Sequence, residues 1–119
     1  MPAYIISSLT YVLDEMKKKV INVKTREDLI NFLAYYYGEL NMIHPFREGN
    51  GRTLRTYFLL LVKKITNGEF ELDYSLWNDE DKELLIKATI INSVNGDIEG
   101  IESCFEIVLV GQDKKRSRR

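Results

Sequence analysis

The chain has 119 residues, of which 45% are hydrophobic and 29% charged. That bounds it to one domain with a single modest core and the composition of an ordinary globular protein. Cys104 is the single cysteine, which excludes an intramolecular disulfide and a cysteine zinc cluster; a lone thiol is expected as a buried small hydrophobe.

The net charge of −1 hides an asymmetry. Five of the 17 basic residues lie in the tail Lys114 to Arg119, so the rest carries 12 basic against 18 acidic residues. An acidic body argues against nucleic acid as the main partner, and the tail, residues 112–119, reads as a solvated, disordered terminus after a core domain of residues 1–111. The longest apolar run, Tyr57 to Val62, is far too short for a bilayer. Lys17, Lys18 and Lys19 follow the first apolar segment, where a signal peptide would put its charges first. The chain therefore reads as cytoplasmic, with no membrane partner.

Apolar Ile6, Leu9, Val12, Leu13 and Met16 recur at three- and four-residue steps and predict an amphipathic helix over Ile6 to Lys19. Val20 to Lys24 makes a turn. Thr25 can cap a second helix, with Asp28 three residues on in a variant of the capping box. Its stripe runs through Leu29, Phe32, Leu33, Tyr36, Leu40 and Ile43. Tyr35, Tyr36 and Tyr37 cannot all face one way on a helix; core packing suits Tyr36, and at least one neighbour is expected exposed or near a site. Pro45 has no N–H and disfavours a helical conformation at His44, so His44 stands at the helix end, projecting into a loop.

A third helix is expected from about Arg52 to Thr66, with Leu54, Tyr57, Phe58, Leu61 and Ile65 inward. Its uninterrupted apolar run suggests cover on most sides. Asn67 and Gly68 stop it. Glu69 to Asn78 reads as irregular or briefly extended, with Trp77 in the core or at its rim. Asn78 can cap a fourth helix, with Asp79, Glu80 and Asp81 suiting its dipole. That helix ends near Asn95 and Gly96, and a last one runs from about Asp97 to Val110. The fold class is therefore all-α: a compact helical bundle with little or no sheet.

The loop after the second helix concentrates the chemistry. His44 is the only histidine, and it heads the run HPFREGNGRTLR, His44 to Arg55. Glu48 is a hard carboxylate of the kind that holds a magnesium ion beside phosphates. Gly49, Asn50 and Gly51 let the backbone curl so that successive N–H groups can point at one anion. Arg52 and Arg55, three residues apart, share a helix face. A helix beginning at about Gly51 also aims its positive end at the same anion. Phe46 looks like an anchor that buries its ring beneath the loop. Base, metal ligand, anion nest and arginine pair are the parts of a phosphoryl-type transfer site.

The run also fills every specified position of the pattern HxFx(D/E)GN(G/K)RxxR, through His44, Phe46, Glu48, Gly49, Asn50, Gly51, Arg52 and Arg55, and so resembles the Fic family (Fic/Doc superfamily) of protein adenylyltransferases. The resemblance extends more loosely from about Ile5 to Leu109. It implies a Fic-like bundle with the motif loop between two central helices. His44 would be the general base towards a Tyr, Thr or Ser hydroxyl of a target protein, with AMP transferred from ATP and pyrophosphate released. Glu48 would hold Mg²⁺. Gly49, Asn50 and Gly51 would cradle the phosphates, Arg52 and Arg55 would neutralise the leaving ones, and Phe46 would anchor the motif. In the Doc branch a lysine stands at the place of Gly51 and phosphate is transferred; Gly51 favours AMP. The alternatives are a Doc-like phosphotransferase, a transferase using another nucleotide donor, or an inactive remnant acting as a binding module.

Two features of the family pattern are not found in the chain. Members usually carry a β-hairpin flap before the first core helix, and here Pro2, Ala3 and Tyr4 look like the end of one, as in a truncated core. The inhibitory pattern (S/T)xxxE(G/N) has no match. Its nearest counterpart is Asn95 to Gly100, where Glu99 reads as an ordinary helix-start acid. An antitoxin-like inhibitory partner, as in a bacterial toxin-antitoxin pair, is the expectation that follows.

Overall fold

The computed structural model describes residues 2–43 and 49–111. Helix α1 spans Ala3–Lys19 and passes through a 3-10 turn, Val20–Asn22, into α2, Arg26–Ile43. Helix α3 covers Asn50–Ile65 and is followed by strand β1, Phe70–Leu72, and a 3-10 turn, Tyr74–Leu76. Helices α4, Asp79–Asn95, and α5, Glu99–Val108, lead to strand β2, Leu109–Gly111. Among the described residues the protein is all-α apart from one two-stranded sheet.

Helix α1 begins three residues earlier than its apolar period suggests. Pro2 is its cap in an extended conformation, and the Pro2 carbonyl accepts from the Ile5 and Ile6 amides at 3.1 and 3.3 Å. Proline's fixed φ and missing N–H suit a helix start. Ala3 and Tyr4 therefore belong to the first turn of α1 and are not the end of a flap.

The start of α2 is as expected. The Asp28 amide donates to the Thr25 hydroxyl at 3.0 Å, and the Asp28 carboxylate accepts from the Thr25 and Lys24 amides at 3.2 and 3.1 Å. Those two amides, Lys24's first, hold the Asp28 carboxyl below the usual carboxylate range. Arg26 forms an ion pair with Glu106 and donates to the Glu106 and Leu109 carbonyls at 3.1 and 3.0 Å. A cation on the last carbonyls of α5 suits that helix's negative end and joins the start of α2 to it.

Helix α2 is the centre of the bundle. It packs against α1, α3, α4 and α5 and buries residues on nearly every side, among them Leu33, Tyr37 and Leu40. Tyr36 is buried while Tyr35 remains 42% exposed, as the three-tyrosine argument requires. Helix α3 buries a single stripe, Leu54, Phe58 and Val62, with Tyr57, Leu61 and Ile65 packed at its edge. Leu60 is 60% exposed, so α3 is not covered on most sides; its apolar run overstates its burial because β1 covers only part of it.

The last helix stops at Val108, two residues before the expected end. Leu109 to Gly111 pair antiparallel with β1 in the register Phe70 to Gly111 and Leu72 to Leu109, and the Asp73 amide donates to the Val108 carbonyl at 2.8 Å. Buried Leu109 and Val110 fit an extended strand, whose backbone groups the ladder satisfies. Helix α4 carries the full capping box between Asn78 and Asp81 and ends on Gly96 with φ 78°. Trp77 is a core residue, its indole N–H donating to the Cys104 carbonyl at 2.8 Å. Burial places Cys104 in the core and pushes its thiol up to about 11.

Helices α2 and α4 approach closely at Gly38. A Cβ there would lie 2.4 Å from Oδ1 of Asn92, a buried side chain whose Oδ1 has no partner among the described residues. Gly38→Ala should therefore destabilise the fold by about 1–3 kcal/mol in chemical denaturation, despite alanine's better helix propensity. Adding Asn92→Ala should restore most of the loss; a double variant no more stable than Gly38→Ala would contradict this account of the contact.

Candidate functional site

Five residues of the motif run, His44 to Glu48, lie outside the described residues, so the expectations for His44, Pro45, Phe46 and Glu48 have no described geometry. They fill the chain between Ile43, the last residue of α2, and Gly49, the cap of α3. What is described is the phosphate half of the proposed site.

Gly49 has φ 68° and ψ 21°, in the left-handed region. A Cβ there would meet nothing within 4 Å, so the glycine serves the backbone turn and not a need for space. Its carbonyl accepts from the Thr53 amide at 2.9 Å, the first bond of α3. The amides of Asn50, Gly51 and Arg52 precede that bond, and a glycine cap offers them no side-chain acceptor. They form a positively polarised helix end of the kind that takes an anion.

Arg55 is folded back over this end. Its Nη1 lies 3.0 Å from where a Cβ on Gly51 would be, so the missing side chain of Gly51 is what leaves room for the guanidinium. Two tyrosines flank Arg55. The Tyr74 hydroxyl donates to the Arg55 backbone carbonyl at 2.6 Å, and Tyr37 lines the same pocket as the Arg55 side chain. Burial raises the Tyr37 hydroxyl above its ordinary range and the Arg55 charge partly opposes this; burial raises Tyr74 as well. Both hydroxyls are therefore neutral at physiological pH. Neither cancels the charge of Arg55.

Asn50 donates from Nδ2 to Oδ1 of Asn41 at 3.4 Å, and its own buried Oδ1 has no partner among the described residues. Arg52 is exposed at the same helix end and does not line the pocket into which Arg55 faces. That pocket, of about 420 Å³, lies between α2, α3, the 3-10 turn and α4, a volume within the range of small-molecule sites. Glu99 is in the first turn of α5, where its amide donates to Asp97 at 2.9 Å. It faces a separate acidic depression with Glu27, Glu102 and Glu106, in keeping with a helix-start acid.

The structure adds four residues that the motif does not name: Tyr37, Asn41, Tyr74 and Lys82. Tyr37 and Asn41 stand four apart on the last turns of α2, facing the first turn of α3, and that spacing was the available signal. Nothing in the sequence joins Tyr74 or Lys82 to the motif. Among the described residues no cluster of His, Cys, Asp or Glu side chains could hold a metal ion, which leaves Glu48, by sequence, as the candidate ligand. No described helix is long and apolar enough to cross a membrane.

Fold and site together define a small helical domain with a glycine-capped helix end over which an arginine is folded. The chain belongs to the Fic/DOC family, whose sequence model matches residues 2–62. A protein adenylyltransferase of Bartonella henselae is 38% identical over 82 residues, covering 69% of this chain and 14% of that protein. The protein adenylyltransferase VbhT of Bartonella schoenbuchensis is 41% identical over 57 residues, 48% of this chain and 11% of that protein. The chain thus spans only a small part of either relative. The crystal structure of the VirB-translocated effector BepC from Bartonella tribocorum with bound AMPPNP superposes with a TM-score of 0.74 at 20% identity, over 90% of this chain and 49% of that one; this likeness is one of fold.

Replacement of Gly51 by alanine places a methyl group against the Arg55 guanidinium. Gly51→Ala should keep or slightly raise thermal stability, by up to about 1 kcal/mol from helix propensity. It should weaken binding of inorganic tripolyphosphate at least about tenfold, the loss expected for a displaced charged hydrogen-bond donor. Unchanged affinity in calorimetry would show that Arg55 does not act over the first turn.

Proposed function

We propose that the chain is the catalytic core of a protein adenylyltransferase, which transfers AMP from ATP to a Tyr, Thr or Ser hydroxyl of a target protein. The observation that carries this reading is the glycine-capped start of α3 with Arg55 held over it, inside a motif run that is complete in sequence. Residues 1–111 form the core domain and 112–119 a basic tail.

In this reading His44 takes the proton of the target hydroxyl, and the oxygen attacks the α-phosphorus of ATP as pyrophosphate leaves on the opposite side. The amides of Asn50, Gly51 and Arg52 and the guanidiniums of Arg52 and Arg55 hold the phosphates and offset the charge that accumulates on the leaving group. Glu48 would hold Mg²⁺, which would neutralise phosphate charge, and the buried Oδ1 of Asn50, two residues on and without a partner among the described residues, is an acceptor that suits such a site. Pro45 and Phe46 would fix the loop that carries His44.

Gly51 supports AMP transfer over a Doc-like phosphate transfer, since any longer side chain there would meet Arg55. The target segment and any antitoxin-like inhibitor are supplied by chain or partners beyond these residues, and the setting is the cytoplasm. Nucleic acid has no role in the reaction.

The test is incubation of the chain with α-labelled ATP, Mg²⁺ and a cell lysate, followed by mass spectrometry of labelled proteins. A gain of AMP that falls at least about a hundredfold in His44→Ala, the scale of a lost general base, is the expected result. A gain of phosphate would favour the second reading, and equal labelling by His44→Ala would overturn the first.

A further inference from the structure

The pocket beside Arg55 has a second cation in its lining. Lys82, from the first turns of α4, lines the same space as Arg55, Tyr37 and Gly51. The two cations come from different helices, and among the described residues neither is paired with a carboxylate. Nor does any described carboxylate line the pocket. The nearest acid in sequence, Asp81, turns its carboxylate back to the Asn78 amide at 3.0 Å in the capping box of α4. Two unpaired cations facing one cavity repel each other until an anion lies between them, so the arrangement favours a negatively charged occupant.

The shape of the site indicates which part of the ligand goes there. The amides of Asn50, Gly51 and Arg52 at the start of α3 are placed to take one end of a polyanion. Arg55 stands one turn further on, and Lys82 lines the same cavity from α4. An extended chain of phosphates that begins at the amides therefore runs past Arg55 towards Lys82.

We infer that Lys82 is a further phosphate-binding residue, lying outside the motif, and that with Arg55 it binds the terminal phosphates of the nucleoside triphosphate donor. The inference deepens the nucleotidyl-transfer reading and rests on it. Lys82 makes the pocket a discriminator for the triphosphate by adding charge where a monophosphate does not reach.

Calorimetry on the full chain tests it with three probes: Mg-ATP, AMP and inorganic tripolyphosphate. Lys82→Met keeps the length of the side chain and removes the charge on an exposed helix position; Lys87→Met makes the same change of net charge on α4 outside the pocket, and circular dichroism checks that both fold. Lys82→Met should weaken Mg-ATP and tripolyphosphate by the same factor, at least about tenfold, as expected for one charged hydrogen bond. AMP binding should be unchanged, and Lys87→Met should match the parent throughout. If Lys82→Met binds Mg-ATP as tightly as Lys87→Met does while Arg55→Ala still loses affinity, the role of Lys82 is overturned and the nucleotide reading stands. A loss for Mg-ATP without a loss for tripolyphosphate would assign Lys82 to the nucleoside end and overturn the inference too. Tripolyphosphate binding that depends on Lys82, without any Mg-ATP binding by the parent, would keep the anion pocket and overturn the nucleotide reading. Binding of neither by the parent would overturn both.

Discussion

Tyr37 joins the core to the site. Its ring packs on Phe58 of α3 and Phe105 of α5, with centroids 5.7 and 5.6 Å away, and it also lines the pocket beside Arg55. Ring contacts of this kind set how α2, α3 and α5 meet, and so where the first turns of α3 stand against α2. Core packing and the pocket wall thus meet in one side chain. Tyr74, whose ring lies against Trp77 at 5.0 Å, donates to the Arg55 carbonyl and ties the backbone of α3 to the same wall.

Both glycines of the described turn answer to this geometry for different reasons. Gly49 is needed for a left-handed conformation in open space, whereas a Cβ on Gly51 would lie 3.0 Å from the Arg55 guanidinium and displace it. The motif reads as a string of permissive residues, yet only the first serves backbone freedom. The second leaves an arginine four positions later its place over the first turn.

Much of the fold was legible in the sequence because its signals were local. The Thr25–Asp28 and Asn78–Asp81 caps, the Gly96 stop and the apolar period of α2 each act within a few residues, and each element lies where those residues predict. The pairing of Leu109 to Gly111 with Phe70 to Leu72 was not legible, since it joins segments far apart in sequence and competes with a helical pattern that runs smoothly through Val108. The burial of α3 was overstated for a related reason: six apolar residues in a row do not say which faces a neighbour will cover. At the site, the glycines and arginines were legible as a motif, while Asn41, Tyr74 and Lys82 were not, because their roles arise only when α2, α4 and the 3-10 turn close around Arg55.

The central claim is that the start of α3 and the guanidinium held over it act together on the donor's phosphates. The direct test is the ¹⁵N–¹H spectrum of labelled protein, including the arginine side-chain signals, followed as Mg-ATP is added. The account predicts that the amides of Asn50, Gly51 and Arg52 and the Arg55 guanidinium signals shift together and saturate at one concentration, while those of Ile101 and Val108 in α5 stay fixed. Saturable binding that leaves these amides and Arg55 unmoved would contradict it.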